Sequence, residues 1–357
     1  MAKFYKLKVK ETYKETSDCS VVSFEIPEEL TEIFNFRQGQ HLTLKAEIDG
    51  EDIRRSYSLC SSPLENEWRV AVKQIPGGKF STYANDVLKI GDTLEVMPPS
   101  GTFGVNVKPD TAKNYLFFAA GSGITPILSM IRTHLAVEAN ATCKLFYVNK
   151  TAKSIIFKEE LEQLRNQYFG RLEIYYFLTK EKRDIDLFNG RLDAEKMAIL
   201  TKTFIDIPDT SEVFLCGPED MVNFVSHYLI DAGLPKELIH FELFVSGLSK
   251  EDIERVERLA QQNVEGVEIT IVDGGKEFHF TMTKDYDTIL DAALAAGADL
   301  PFACKGGVCC TCKCKVIEGS VEMKVNYALE EAEVAQNFVL SCQSVPTSNH
   351  VKVDYDV

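Results

Sequence analysis

Four of the ten cysteines stand at a spacing that suits metal chemistry. Four residues separate Cys304 from Cys309, two separate Cys309 from Cys312, and Cys342 follows thirty positions after Cys312. Thiolates are soft ligands, and a long-gapped trio with a remote fourth cysteine is the pattern that ligates a [2Fe-2S] cluster. Two glycines in the same loop would let backbone N–H groups turn toward the sulfurs. The spacing therefore predicts that these four cysteines bind a [2Fe-2S] cluster.

Two other interpretations of the cysteines stay open. Thiolate quartets also suit a structural zinc ion, although zinc sites usually pair two short CxxC segments. The cysteines could also be unrelated buried residues. Two more, Cys310 and Cys314, lie in the same region. We expect Cys310 to be a small loop residue and Cys314 a buried strand residue, the alternative being that one of them replaces a ligand.

A second group of residues suits a phosphate and an aromatic ring system. Arg55, Ser56, Tyr57 and Ser58 lie in a run with strand character. Alternation places Arg55 and Tyr57 on one face and the two serines on the other. A guanidinium can bind a phosphate through two hydrogen bonds, and an aromatic side chain can pack on a ribose or a flavin.

A glycine pair lies about twenty residues further on and leads into a predicted helix near 81–88. The backbone N–H groups at the start of a helix suit a pyrophosphate. The residues concerned are Val72, Lys73, Gly77, Gly78, Lys79 and Ser81. Each pattern alone is also typical of an ordinary strand or turn, and their occurrence together, in this order, favours the functional interpretation.

The segment Gly121–Pro126 follows an apolar strand and precedes a predicted helix. Thr125 is a plausible N-cap and Pro126 a favoured first helical residue, which places Gly121 and Gly123 where a dinucleotide pyrophosphate binds. The third glycine of the usual dinucleotide fingerprint is absent. A later strand ends in Cys216, Gly217 and Pro218. Because open α/β sheets bind ligands at their carboxyl edge, we expect Cys216 near a nicotinamide ring, the alternative being a small buried residue followed by a turn.

The turn after the second strand of this region carries Asn149 and Lys150, with Lys153 nearby. An NAD-preferring site commonly has an acidic residue there, against the ribose hydroxyls. Its absence, with two lysines present, favours NADPH over NADH. An exposed polar turn without a cofactor role is the alternative.

Periodicity divides the chain into three parts. Short alternating runs before residue 108 predict an antiparallel β-barrel; apolar runs alternating with helical stretches over 109–245 predict a doubly wound α/β domain with a parallel sheet. A charged helix with a capping signal at Ser249 and Asp252 marks 246–265 as a linker. Over 266–357 a hairpin, a helix and the cysteine loop predict a compact α+β domain.

Composition restricts the class of protein. The 357 residues carry 39 basic and 54 acidic side chains, and a net charge of −15 argues against nucleic acid as a partner. No uninterrupted apolar run of membrane-spanning length is present, and scattered cysteines favour a reducing, cytoplasmic setting. Lys305, Lys313 and Lys315 crowd the cysteine loop. They either keep the loop soluble or orient an acidic protein partner.

With these motifs in their order along the sequence, from Arg55 to Cys342, the chain resembles the ferredoxin-NADP reductase family with a fused C-terminal plant-type ferredoxin of the β-grasp fold. The resemblance covers the entire chain. It implies that Arg55 contacts the flavin phosphates, that Tyr57 packs along the flavin and that Ser58 lies near flavin N5. Gly78 and Ser81 would hold the pyrophosphate. The remaining implied positions are Gly121 and Thr125 at NAD(P)H, Cys216 at the nicotinamide, and Glu242 with Phe244 closing the flavin site.

The resemblance also implies what the chain does. Electrons would pass from NADPH through FAD and the [2Fe-2S] cluster to an oxygenase, since a flavin exchanges both pairs and single electrons. Within the family the chain is similar to reductase components of di-iron acyl-CoA epoxidases. Ser58, Cys216 and Glu242 would be the residues closest to the chemistry. The alternatives are a reductase for a ring-hydroxylating or steroid-hydroxylating oxygenase, and a cluster-based redox sensor.

Overall fold

The computed structural model describes residues 3–244 and 250–357. Contacts between residues divide the chain into two compact units. The first unit contains Tyr5–Ile53 and Tyr57–Phe244. The second contains Arg54–Ser56 and the described chain after 249, together with the residues before Tyr5.

The first unit begins with a six-stranded antiparallel sheet in the order β4-β3-β6-β1-β2-β5. Its inward-facing side chains are the apolar ones that alternate along the sequence, among them Leu42, Leu94 and Val96, all buried. Its strands are β1 (Tyr5–Thr16), β2 (Cys19–Glu25), β3 (His41–Ile48), β4 (Glu51–Ser58), β5 (Trp68–Lys73) and β6 (Thr93–Val96). The antiparallel β-barrel that the alternating runs predicted is therefore confirmed.

Strand β1 continues to Thr16 because its second half pairs with β2, although Glu11, Tyr13 and Lys14 are exposed. One predicted boundary beside this sheet was wrong. The helix expected over 81–88 is α1 (Lys79–Asp86). It starts two residues earlier because Gly78 occupies the N-cap position.

The rest of the first unit is a parallel sheet of five strands in the order β11-β10-β7-β8-β9. The strands are β7 (Asn114–Ala120), β8 (Thr142–Asn149), β9 (Leu172–Leu178), β10 (Glu212–Gly217) and β11 (Ile239–Leu243). The helices are α2 (Ile124–Val137), α3 (Lys158–Gln167), α4 (Ala194–Thr203) and α5 (Glu219–Asp231). The predicted doubly wound parallel sheet is confirmed. Strands β7 and β10 are apolar after their first residues, as expected for strands covered on both faces, and β8 is apolar except at Thr142, Lys144 and Asn149.

The barrel and the parallel sheet share one hydrophobic core. Cys19, Val21, Cys60 and Ala71 of the barrel pack in the same cluster as α2 and the central strands of the parallel sheet. A core that continues across both parts fixes their relative position within the first unit.

The second unit has a five-stranded mixed sheet in the order β13-β12-β18-β14-β16 and a small pair, β15-β17. Strands β12 and β18 are parallel, with α7 connected between them, which is the arrangement of a β-grasp domain. The strands are β12 (Val267–Asp273), β13 (Lys276–Met282), β14 (Lys313–Glu318), β15 (Val321–Met323), β16 (Phe338–Leu340), β17 (Ser344–Pro346) and β18 (His350–Asp354). The helices are α6 (Lys250–Ala260), α7 (Ile289–Ala295) and α8 (Glu331–Val334).

The predicted hairpin and helix of this unit are confirmed. Gly274 and Gly275 form the two-residue turn with φ of +59° and +70°, as a type I′ turn requires. Asp356 accepts hydrogen bonds from both of their N–H groups, at 2.7 and 2.8 Å. Thr288 caps α7 by accepting a hydrogen bond from the backbone N–H of Asp291 at 3.2 Å.

The predicted linker is more structured than a spacer. Its capping residue Ser249 lies outside the described residues. From residue 250 the chain forms α6, which is held on the second unit by a 2.6 Å hydrogen bond from Tyr327 Oη to Asp252 and by an ion pair between Arg258 and Glu322. Leu259, on α6 itself, is buried in the core of the second unit.

Candidate functional site

Two glycine-containing segments meet at the carboxyl edge of the parallel sheet. The first, after β7, forms a 3₁₀ turn over Gly121–Gly123 that leads directly into α2. The second is the end of β10. A Cβ atom on Gly123 would lie 2.1 Å from the carbonyl oxygen of Cys216, so only glycine allows this approach.

The expected N-cap of α2 was wrong. Helical winding already begins in the 3₁₀ turn, so Gly123 takes the cap position and Thr125 is the second residue of α2. Thr125 Oγ1 donates to Ser122 O at 3.0 Å and the residue is buried. Pro126 is the third helical residue, where its missing N–H group still costs no hydrogen bond.

Tyr147, on β8, supports this turn, a role that no sequence pattern indicated. Its hydroxyl donates to Gly121 O at 2.8 Å. Burial raises the pKa of Tyr147 well above its ordinary value, so the hydroxyl stays protonated as a donor. In the sequence Tyr147 is one apolar-looking residue of a buried strand.

Three residues implied by the family resemblance lie together although they are far apart in the sequence. Ser58 Oγ, at the end of β4, donates to Glu242 Oε2 at 3.2 Å. Glu242 is the register partner of Cys216 across the parallel pair β10-β11. Cys216 is fully buried; burial and then the charge of Glu242 raise the pKa of its thiol.

The adjoining residues complete this edge. Phe244 donates its backbone N–H to Gly217 O at 2.9 Å, which holds the end of β11 against the end of β10. Pro218 is the N-cap residue of α5. A Cβ atom on Gly217 would lie 3.0 Å from that of Ala120, so Gly217 lets β10 approach β7 closely.

The glycine pair in the barrel makes a tight turn at the start of α1. Gly77 has φ of +74°, and Gly78 caps the helix without a side-chain hydrogen bond. Ser81 Oγ accepts from Ile75 N at 3.2 Å and donates to Gly78 O at 3.1 Å, which fixes the turn. The first N–H groups of α1 therefore receive no side-chain cap from Gly78, as a pyrophosphate site needs.

Three other barrel residues that were predicted at the flavin are Val72, whose side chain is buried, and Lys73 and Lys79, which form ion pairs. Val72 is buried in the barrel core, so its side chain faces away from any ligand on the surface. Lys73 pairs with Asp18 at 3.6 Å and Lys79 with Glu51 at 2.7 Å. Both ammonium groups therefore already have an acidic partner.

The strand β4 carries Arg55 and Tyr57 as predicted. Arg55 is exposed, and its Nη1 donates to Arg54 O at 2.7 Å. The ring of Tyr57 lies 5.7 Å from that of Phe80, the second residue of α1. Tyr57 thus connects β4 with the helix that follows the glycine turn.

Asn149 and Lys150 lie at the carboxyl edge, at the end of β8. Asn149 is 5% exposed, and its Nδ2 has no hydrogen-bond partner within residues 3–244 and 250–357. Lys150 is exposed. The segment that follows β9 lies beside Lys150, since Lys180 N donates to Lys150 O at 2.8 Å.

The four predicted ligand cysteines lie in two hydrogen-bonded pairs. The thiol of Cys304 donates to Cys309, which lowers the pKa of Cys309 and raises that of Cys304. The thiol of Cys312 donates to Cys342, which lowers the pKa of Cys342 and raises that of Cys312 well above its ordinary value.

Backbone N–H groups point at these sulfurs, as the two glycines of the loop predicted. Gly306 N donates to Cys304 Sγ at 3.3 Å, and the N–H of Gly307 bonds Cys342. Within the described ranges no three or more Cys, His, Asp or Glu side chains form a site for one metal ion. Two adjacent pairs of thiols with N–H donors instead suit two irons bridged by sulfides, so the residues fit a [2Fe-2S] cluster.

Cys310 and Cys314 stand apart from the two pairs. Cys310 has φ of +53° and its Sγ donates to Ala328 O at 3.3 Å. Cys314 lies on β14, where burial raises the pKa of its thiol. The lysines of the loop are in ion pairs: Lys305 with Asp291 at 2.8 Å and Lys313 with Glu333 at 3.1 Å.

Family models match all three parts of the chain. The oxidoreductase FAD-binding domain matches residues 6–104, the oxidoreductase NAD-binding domain matches 117–227, and the 2Fe-2S iron-sulfur cluster binding domain matches 271–347. Fold and site together define an NAD(P)H-dependent oxidoreductase of the ferredoxin reductase type that uses FAD and a [2Fe-2S] cluster.

Similar proteins sharpen this assignment. The chain is 43% identical over 356 residues to the E component of 1,2-phenylacetyl-CoA epoxidase of Escherichia coli, covering 100% of this chain and 99% of that protein. It is 32% identical to the ferredoxin reductase component of 3-ketosteroid-9-alpha-monooxygenase of Rhodococcus rhodochrous, covering 98% and 96%. The chain therefore belongs to the ferredoxin-NADP reductase family with a fused C-terminal [2Fe-2S] ferredoxin domain.

Solved structures share the fold. Phthalate dioxygenase reductase matches with a TM-score of 0.61 at 23% identity, covering 98% of each chain. An intact type IV self-sufficient cytochrome P450 monooxygenase matches with a TM-score of 0.69 at 24% identity, covering 98% of this chain and 41% of that one. No helix in the described parts of the chain has the length and apolar character needed to cross a membrane.

Proposed function

We propose that the chain is the reductase component of an oxygenase system, and that its electron acceptor is the oxygenase of a phenylacetyl-CoA epoxidase. The observation that carries this proposal is the 43% identity to the E component of that enzyme over nearly the full length of both chains. When bound, FAD exchanges electron pairs with a nicotinamide and single electrons with a [2Fe-2S] cluster.

Ser58, the buried residue at the end of β4, would act at the reactive edge of the flavin. Because Ser58 donates its proton to Glu242, the lone pairs of Ser58 Oγ stay available to accept a hydrogen bond from a flavin nitrogen. Cys216, across from Glu242, would contact the nicotinamide. Its high pKa keeps the thiol neutral, so it would act through packing and not as a nucleophile.

The exposed residues of the barrel would hold the phosphate end of FAD. Arg55 offers a guanidinium that can bind a phosphate through two hydrogen bonds. The uncapped N–H groups at the start of α1, after Gly77 and Gly78, would bind the pyrophosphate. Tyr57 would pack along the flavin.

We propose NADPH as the electron donor. Besides Lys150, the turn after β9 carries Lys180, whose backbone N–H donates to Lys150 O at 2.8 Å, and the next lysine along the chain is Lys182. The acidic residue between the two lysines, Glu181, accepts a hydrogen bond from Ala152 N at 2.8 Å. A 2′-phosphate carries two negative charges that such a cluster favours, whereas a ribose hydroxyl gains little from it.

The division of the chain into domains is proposed as 1–108 for FAD, 109–245 for NAD(P)H, 246–265 as linker and 266–357 for the cluster. The matched family regions lie inside these limits.

All ten cysteines are free thiols, which supports a reducing, cytoplasmic location. The proposed ligands of the cluster are four of these thiols, namely Cys304, Cys309, Cys312 and Cys342.

Reconstitution tests the proposed partner. The purified chain, loaded with FAD and cluster, is mixed with NADPH, phenylacetyl-CoA and the oxygenase subunits of a phenylacetyl-CoA epoxidase. We expect turnover of phenylacetyl-CoA that depends on this chain. Turnover only with the oxygenase of a steroid monooxygenase would show that the acceptor is wrong but the class right. Flavin that is never reduced by NADPH would favour a redox sensor.

A further inference from the structure

The side-chain amide of Gln343 joins the fourth cysteine to the cysteine loop. Its Nε2 donates to Lys305 O at 2.9 Å and to Cys342 Sγ at 3.5 Å. An amide nitrogen carries two hydrogens, so each acceptor receives its own. Gln343 is 7% exposed, and bulk water therefore competes little for either hydrogen bond.

The surroundings hold this amide in place. The backbone of Gln343 is fixed on both sides, because its N–H donates to Leu340 O and its carbonyl accepts from Lys324 N, each at 2.8 Å. A Cβ atom on Gly307 would lie 3.3 Å from Gln343 Cγ, so the side chain packs directly against the loop. A side chain restrained in this way loses little further entropy when it makes its hydrogen bonds.

The hydrogen bond to Cys342 should change the electron affinity of the cluster. Reduction by one electron places more negative charge on the sulfurs, and an N–H donor stabilises that charge more than it stabilises the oxidised form. Gln343 brings no net charge of its own.

We propose that Gln343 is a positioning residue that raises the reduction potential of the [2Fe-2S] cluster while it ties Lys305 to Cys342. The inference deepens the proposed function and depends on its ligand set. Gln343 would then affect the fraction of the cluster that NADPH can reduce, because the reduction potentials of such clusters lie near that of a reduced nicotinamide.

Potentiometric titration of the holoprotein, followed by electron paramagnetic resonance, tests the inference. Gln343→Leu removes the donor without adding charge, and Gln343→Glu keeps the shape but cannot donate from its carboxylate. We expect more negative midpoint potentials in both variants. When the solution potential is held at the wild-type midpoint, the ratio of reduced to oxidised cluster in Gln343→Leu should be about threefold to tenfold lower than in the wild type. This is the change that the loss of one hydrogen bond predicts.

Two control variants separate tuning from general damage. Gln336→Leu removes an exposed glutamine of the same unit and should leave the potential unchanged. Ser341→Ala removes a hydrogen bond to Cys312 O, not to a sulfur, and should affect stability more than potential. A midpoint of Gln343→Leu that equals that of Gln336→Leu would overturn the inference.

A measurement on the unmodified chain covers the case in which the Gln343 variants fail to assemble. The holoprotein is labelled with ¹⁵N in glutamine side-chain amides only, reduced, and examined by pulsed electron paramagnetic resonance. We expect a weak coupling from one labelled nitrogen, and its absence would overturn the inference. Failure of the ligand set is recognised separately: an intact cluster in Cys342→Ser rejects the ligands, whereas loss of the cluster there with no ¹⁵N coupling rejects only the role of Gln343.

Discussion

Ser58 Oγ donates a hydrogen bond to Glu242 Oε2 at 3.2 Å, and the two residues are 184 positions apart in the chain. The contact joins the end of a barrel strand to the edge strand of the parallel sheet. Because both parts also share one core, the contact lies in a rigid region. It brings the proposed flavin and nicotinamide residues of the first unit into one site.

Removal of the Ser58 hydroxyl should slow reduction of the flavin by NADPH. An ordinary hydrogen bond is worth about 0.5–1.5 kcal/mol, so if Ser58 stabilises the transition state by that amount, Ser58→Ala should lower the rate roughly 2- to 12-fold. Stopped-flow absorbance measures the rate. Ser23→Ala is the control, because Ser23 Oγ is buried without a hydrogen-bond partner among the described residues. Equal rates in the two variants would contradict the role of Ser58.

Replacement of Cys342 should remove the cluster but spare the flavin. We expect Cys342→Ser to lose the visible absorbance of the cluster and the reduction of cytochrome c. Ferricyanide reduction driven by NADPH should persist because it needs only the flavin. Cys314→Ser is the matched control, since Cys314 lies on β14 outside the two thiol pairs. A normal cluster spectrum in Cys342→Ser would disprove the ligand set.

Removal of the Arg55 guanidinium should weaken flavin retention. One charge-assisted contact is worth about 1.5–3 kcal/mol, so the dissociation constant of FAD should rise roughly 10- to 150-fold in Arg55→Ala. Flavin content after dialysis measures the effect. Arg165→Ala removes an arginine that pairs with Glu162 on α3 and should retain the flavin. Wild-type flavin content in Arg55→Ala would argue against a phosphate contact.

Acid should remove the stabilisation that Glu212 provides. Burial acts to raise the pKa of Glu212, but hydrogen bonds from His240 at 2.9 Å and Lys113 at 2.7 Å outweigh it and lower the pKa below the ordinary 4.5. A lowered carboxylate pKa gives stability that is present above the unfolded value and is lost as the pH falls through the folded value. Glu212→Gln should therefore destabilise the chain at neutral pH and have less effect near pH 3.

Denaturant unfolding at both pH values measures this difference. Glu159→Gln, on the exposed face of α3, should show little pH dependence. If the destabilisation by Glu212→Gln is the same at both pH values, the ion pair does not provide the stabilisation.

Local patterns predicted the elements better than the contacts between them. The parallel sheet follows from apolar runs that alternate with helical stretches, and the predicted hairpin of the second unit has its turn at Gly274-Gly275. The N-cap of α2 was predicted wrongly because nothing local distinguishes a 3₁₀ turn at Gly121–Gly123 from a loop. Sequence spacing could not place Ser58 beside Glu242, since that contact depends on how the two sheets pack around their shared core.

Anaerobic mixing of the holoprotein with NADPH tests the central claim most directly. Flavin absorbance is followed by stopped flow, and the cluster by electron paramagnetic resonance of samples frozen at successive times. The account predicts rapid bleaching of the flavin followed by the signal of a reduced [2Fe-2S] cluster. Flavin that stays oxidised, or a cluster that stays oxidised after the flavin has been reduced, would contradict it.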